Sequence, residues 1–196
     1  MKKPEADKAL AFMRLLHAFQ SVERVAHAPD QIRRENDVEH SYLLAMMSWY
    51  LIDSLRLEFN KGAVLQYALA HDLVETYAGD TYIWDTEALK TKHAREEKAR
   101  MQIESEFPEF PDLHAMIQRY EKQGDEESTF VRAVDKLLPV LTNYLQDGRT
   151  WKEMAVPHDD LYANKREKIG NQQEVRELLE QMIEIIGDDW QKYFAS

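Results

Sequence analysis

Apolar residues recur along this chain at intervals of three and four, the spacing that gathers them on one face of an α-helix. The first such run, Asp7 to about Val25, carries Leu10, Met13, Leu16 and Val22 and predicts a helix that buries one stripe. Periodicity fails around Ala28-Pro29-Asp30, then resumes after Asn36-Asp37, an N-cap for a second helix reaching about Leu57. Asn60-Lys61-Gly62 separates it from a third, Ala63 to Glu75, which Gly79-Asp80 ends. Thr86 to Phe107 alternates charges such as Glu96, Glu97, Lys98 and Arg100, which predicts a solvated surface helix with i, i+4 pairs. After Pro108 and Pro111, Leu113 to Tyr120 predicts a short helix. Ser128 or Thr129 caps a strong one from Phe130 to Leu145, which Pro139 is expected to kink. No clear period runs from Thr150 to Gly170, and an amphipathic helix from about Gln172 to Ile186 closes the pattern.

Six glycines and six prolines among 196 residues, with helix formers plentiful, agree with an all-α fold. The length suits one domain, with its main core between about residues 23 and 145 and a helical extension over 146–196. The apolar run Tyr42 to Ile52 falls short of the roughly 20 residues that span a bilayer. Glu5, Asp7 and Lys8 interrupt the stretch where a targeting core would follow Lys2 and Lys3, so a cytoplasmic protein is expected. A net charge of -11 opposes binding to a nucleic-acid polymer and leaves room for a small anion held by a few arginines. With no cysteine, any metal must sit on His, Asp or Glu.

Three helices carry ionisable residues where the pattern calls for apolar ones. Asp135 lies four residues after Val131 and three before Leu138; His40 lines up with Leu43, Leu44, Met47 and Leu51; His71 continues the face of Val64, Tyr67 and Ala68. A buried carboxylate without a partner neutralises, pairs or binds a metal. With Asp72 beside His71, two imidazoles and two carboxylates form a mixed N,O shell. Such a shell suits one divalent ion among Mn, Fe, Co, Ni, Zn or Mg, with positions left for water and a phosphate oxygen.

His40 within Val38-Glu39-His40-Ser41, the pair His71-Asp72, and Asp135 within Val134-Asp135-Lys136-Leu137 resemble the HD superfamily of metal-dependent phosphohydrolases. The string His71-Asp72-Leu73-Val74-Glu75-Thr76-Tyr77-Ala78-Gly79-Asp80 is similar to the branch containing bacterial 5'-deoxynucleotidases. The resemblance implies a helical bundle with the metal site between helices, His40, His71, Asp72 and Asp135 as ligands, and Glu75 and Asp80 as acidic residues beside the metal. It also implies Arg24 and Arg33 as phosphate-binding residues, with Arg34 on the surface, Asp80 and Thr81 toward the substrate, and a homodimer. Val25 follows the arginine where an aromatic residue is usual, so strict deoxyribose selectivity is not part of what the resemblance implies, and Thr81-Tyr82-Ile83-Trp84 likewise replaces a proline-containing stretch.

The leading expectation is release of phosphate from a nucleoside 5'-monophosphate by metal-activated water, with Glu75 orienting or deprotonating that water. Alternatives are an HD phosphodiesterase, a pyrophosphate-cleaving hydrolase acting on an alarmone or triphosphate, and a nucleotide-binding regulator without turnover. His158-Asp159 follows Pro157 outside any helical period and is set aside as a metal motif. His93 and His114 do not fit the pattern of a second metal.

Overall fold

The computed structural model describes residues 4–29 and 32–195, so Lys2, Lys3 and Asp30 of the sequence reading lie outside it. Helix α1 spans Pro4–Phe19 and stops short of Val25. Phe12, Leu15, Leu16 and Phe19 recur at the spacing of one helical face; Leu15 and Phe19 are buried, while Leu10 and Met13, expected inside, are exposed. A strand comes next. β1, Glu23–His27, pairs antiparallel with β2, Arg34–Asn36, with Glu23 opposite Asn36 and His27 opposite Arg34 across an irregular register. Strands this short carry no readable alternation, which is why the pattern alone extends the first helix into β1.

Helix α2, Asp37–Leu55, starts at the expected cap. The Asn36 side chain accepts from the Glu39 amide at 3.0 Å, and the Glu39 carboxylate accepts from the Asn36 amide at 3.1 Å, a reciprocal capping box. α3 covers Lys61–Ala70 behind an Asn60 cap. It ends before Glu75: the Leu73 amide bonds the Ala70 carbonyl and the Glu75 amide the Asp72 carbonyl at 2.8 Å, a tight three-residue ladder that leads into α4, Glu75–Ala78. α5, Thr86–Glu106, and α6, Pro111–Lys122, come after it.

The central element is α7, Glu126–Leu145, capped by Asp125 rather than by Ser128 or Thr129. It runs through Pro139 without ending, although a proline nitrogen cannot bond the carbonyl four residues back, here that of Asp135. The stretch without a period holds two short helices, α8, Arg149–Glu153, and α9, His158–Ile169. On α9 the buried stripe Leu161, Tyr162, Lys165 and Ile169 contains a lysine, and that hid the period. α10, Gln173–Ile186, and a 3-10 segment, Gly187–Lys192, complete the chain.

α7 packs against α2, α3, α9 and α10. One core joins Leu44, Val64, Tyr67, Val134 and Leu137 to Trp151, Leu161, Val175 and Leu179, so residues beyond 145 share the interior of the motif-bearing helices. Each large aliphatic side chain buried this way contributes roughly 1.5–3 kcal/mol before entropy is counted. A second cluster ties α1 to α5 and α6 through Phe19, Ile103 and Ile117. Among the described residues no helix is long and apolar enough to cross a membrane.

Candidate metal centre

His40 enters from the first turns of α2, His71 caps the C-terminus of α3, Asp72 follows it in the tight turn, and Asp135 comes from the middle of α7. Their donor atoms converge. His40 Nε2 lies 2.9 Å from Asp135 Oδ1 and 3.9 Å from Asp72 Oδ2; His71 Nε2 lies 2.9 Å from Asp72 Oδ2 and 4.0 Å from Asp135 Oδ1. Bonds of about 2.1 Å place neighbouring donors of an octahedral ion about 3.0 Å apart and opposite ones about 4.2 Å apart, so each of these four separations suits two ligands of one small cation. The donors of His40, His71 and Asp72 all lie within 4.8 Å of one another, and Asp135 approaches both rings from outside that tight group.

Two further observations favour an ion. His71 Nδ1 faces the Ala68 carbonyl at 3.0 Å, which directs Nε2 inward as the free donor. Buried His71 Nε2 is left without a hydrogen bond, although Asp72 Oδ2 is 2.9 Å away. On the other ring, His40 Nδ1 faces Glu35 Oε1 at 3.6 Å, an electrostatic rather than a hydrogen-bonded contact.

The carboxylates have distinct surroundings. Burial alone would raise Asp72, but the His71 ring and the Arg24 guanidinium overcome it and hold the carboxyl well below its usual range. For Asp135 the same contest is won by Lys136, whose Nζ is 2.6 Å from Oδ2, and by His40. Glu75 goes the other way. Burial, followed by the charges of Asp72 and Asp80, pushes its carboxyl up to about 10. Its Oε1 faces Lys92 Nζ at 3.3 Å, and its buried Oε2 has no hydrogen-bond partner. Glu75 begins α4 rather than continuing α3, yet it still lines the same cavity as Asp72 and Asp135.

That cavity, of about 140 Å³, is lined by Arg24, Asp72, Glu75, Asp80, Thr81, Lys92, Asp135 and Lys136, among others. Arg24 reaches it from β1, and Nη1 donates to Asp37 Oδ1 and Asp72 Oδ2, each at 2.9 Å. Buried Thr81 accepts from Arg95 Nη2 at 2.7 Å, and Arg95 also holds the Ala78 carbonyl, so α5 fixes the loop that carries Asp80. Arg33 is placed elsewhere. It stands outside the cavity lining, its guanidinium paired with both oxygens of Glu39, and its side chain is half exposed. Arg34 is only partly exposed and bonds the Val25 carbonyl.

Several residues in or beside the cavity lining are not marked by any motif in the sequence. Lys92 and Arg95 sit in the charge run taken for surface, and only their inward spacing on α5 distinguishes them from their solvated neighbours. Asp37 looked like a cap companion and is fully buried against Arg24. Thr150, Trp151, Val156, Leu161 and Lys165 form a wall from the segment beyond residue 145, where no motif pointed. His158 and Asp159 contact each other on α9 and belong to no metal-binding group among the described residues, while His114 bonds the Phe107 carbonyl at 2.7 Å.

The family profile described as HD domain matches residues 16–178. The human 5'-deoxynucleotidase HDDC2 is 31% identical over 139 residues, 69% of this chain and 67% of that protein. A crystal structure of a predicted metal-dependent phosphohydrolase from Magnetospirillum magnetotacticum MS-1 has a TM-score of 0.78 at 28% identity, covering 100% of this chain and 99% of that one. A conserved hypothetical protein from Pyrococcus furiosus, at 20% identity and a TM-score of 0.65 over 89% of this chain and 99% of that one, shares the fold.

Proposed function

The chain belongs to the HD-domain family, as a hydrolase of phosphoric monoesters, and on that premise we propose that its substrate is a nucleoside 5'-monophosphate. The observation that carries this reading is the approach of donors from His40, His71, Asp72 and Asp135 to one another beside a cavity that Asp72, Asp135, Arg24, Glu75 and Asp80 line. His40, His71, Asp72 and Asp135 hold one divalent ion. When bound, that ion supplies a Lewis acid that lowers the pKa of water and offsets phosphoryl charge.

The remaining work falls to side chains. Arg24, oriented by Asp37 and Asp72, keeps donors free for a phosphate oxygen, and its planar fork suits that partner. The charge of a bound ion would offset those of Asp72 and Asp80 that raise the Glu75 carboxyl, leaving Glu75, beside Lys92, to take the proton from the attacking water as the new O–P bond forms. The bond from phosphorus to the 5' oxygen then breaks, and that oxygen takes up the proton Glu75 received and leaves as the nucleoside hydroxyl. Asp80, on the loop held by Arg95, faces the sugar, with Thr81 beside it. The segment after residue 145 closes the far wall, so the whole chain acts as one unit. Exposed Tyr42, Trp49 and Tyr50 on α2 supply the contact surface of a homodimer, which sedimentation velocity tests.

A panel of nucleoside and deoxynucleoside 5'-monophosphates assayed for orthophosphate with Mn, Co, Mg and Zn in turn tests the function. Phosphate release that a chelator abolishes and a divalent ion restores is expected, with His71→Ala and Asp72→Ala losing both metal and turnover. Turnover retained in either variant sinks the mechanism. Pyrophosphate or tripolyphosphate as the product assigns the chain to the pyrophosphate-cleaving alternative.

A further inference from the structure

Four cationic side chains line the cavity, and three are already engaged. Arg24 is shared between Asp37 and Asp72, Lys136 is held by Asp135, and Lys92 lies between Glu75 and Glu96. The fourth is Lys165. It is 3% exposed, yet no acceptor among the described residues lies within hydrogen-bond or ion-pair distance of its ammonium.

The fold holds this lysine in place. Leu161 and Ile169, one turn to either side on α9, and Tyr162 between them are packed into the main core, so the backbone of Lys165 cannot turn outward. An ordinary lysine in an apolar stripe extends its head to water along its own stem. This one lines the cavity instead, near enough to Asp135, Lys136 and Arg24 for their charges to act on it. Burial, reinforced by Lys136, pushes its pKa down to about 7. A buried amine with no counter-charge costs free energy in either protonation state, and an anion in the cavity removes that cost.

We infer that Lys165 is a phosphate-binding residue, whose ammonium contacts the non-bridging oxygens of the substrate's phosphoryl group across the cavity from Arg24. This rests on the monoesterase reading above. It gives the C-terminal segment a direct share in the site: the ion-binding residues come from α2, the turn that ends α3, and α7, while the unengaged cation comes from α9. The ligand class is a phosphate monoester dianion, or the orthophosphate released from it. Lys165 makes and breaks no bond; it offsets charge.

The test uses the full chain loaded with metal, and compares wild type with Lys165→Met and Lys165→Arg. Direct binding of inorganic phosphate is measured by calorimetry, alongside KM and kcat for a nucleoside 5'-monophosphate, metal content and thermal stability. Lys165→Met is expected to weaken phosphate binding and raise KM by roughly tenfold to a hundredfold, the range of one charge-assisted hydrogen bond. Metal content should stay unchanged and Tm should rise, because an unpaired buried amine has gone. Lys165→Arg should recover part of the phosphate affinity. Unchanged phosphate binding and unchanged KM in Lys165→Met overturn the inference while leaving the monoesterase reading intact. If wild type releases no phosphate from any monophosphate, that reading falls, and the calorimetric comparison still decides whether Lys165 binds the anion.

Discussion

Arg24 Nη1 stands 2.9 Å from Asp72 Oδ2, so the first strand is tied directly to the aspartate of the His-Asp pair. The same nitrogen holds Asp37, whose side chain has no solvent exposure. Two carboxylates thus depend on one guanidinium. Arg24→Met leaves Asp37 without its counter-charge and removes one of two beside Asp72, and is expected to lower stability by about 3–5 kcal/mol, the usual consequence of breaking a buried pair from one side. It should also lower kcat/KM at least about a hundredfold, since phosphate loses a bidentate partner. Urea unfolding and phosphate release measure the two effects, and Arg24→Lys should fall between wild type and Met on both.

Glu75 tests the division of labour between holding the ion and moving protons. Its carboxyl lines the cavity beside Asp72 yet is not among the four converging donors. Glu75→Gln keeps shape and volume while removing the base, so kcat is expected to fall about 10²-fold to 10⁴-fold with metal content unchanged. Metal analysis of the purified variant beside its kinetics checks this. Loss of the ion together with activity moves Glu75 into the ligand set.

Asp125 governs acid stability away from the site. Its Oδ1 accepts from the Ser128 amide at 2.8 Å, and Tyr67 donates to Oδ2. Burial alone would raise this carboxyl, but the bonds from Tyr67 and Ser128 outweigh it and lower its pKa. A carboxylate lowered in the folded state stabilises above its unfolded pKa, and that contribution is lost as pH falls through the folded value. Asp125→Ala should therefore destabilise α7 by about 1–2 kcal/mol at pH 7. The gap from wild type should shrink below about pH 4. Thermal unfolding across that range reads the sign directly.

Gly148 joins the C-terminal wall to the rest of the fold. It has φ of +71°, and a Cβ placed there would lie 1.8 Å from the Tyr193 carbonyl oxygen. Gly148→Ala must move backbone as well as adopt a strained conformation, so a loss of at least roughly 1–3 kcal/mol is expected. Because α8 starts at the next residue and carries Thr150 and Trp151 to the cavity, KM should rise with little change in metal content. A variant as stable as wild type with normal KM shows that this close approach is dispensable.

The local pattern determined much of this protein by itself. Helical periods, the Asn36 cap and the placing of His40, His71 and Asp135 on buried faces were legible because each depends on residues three or four apart. The same reasoning misplaced what depends on distant partners. The β1–β2 pairing exists because two short segments meet across an intervening loop, and α3 yields to a tight turn at His71. Arg33 and Arg24 read alike in sequence, yet Glu39 one helical turn into α2 engages the first while Asp37 and Asp72 draw the second into the cavity.

Only tertiary packing decided the distances, since no spacing along the chain reports how far an imidazole on α2 stands from a carboxylate on α7. The wall from α8 and α9 was invisible for the same reason: Lys165 looks like a surface lysine until its neighbours Leu161 and Ile169 are seen locked into the core. Sequence encodes which faces are apolar through local geometry, whereas burial of a charge is set by what packs over it from elsewhere in the chain.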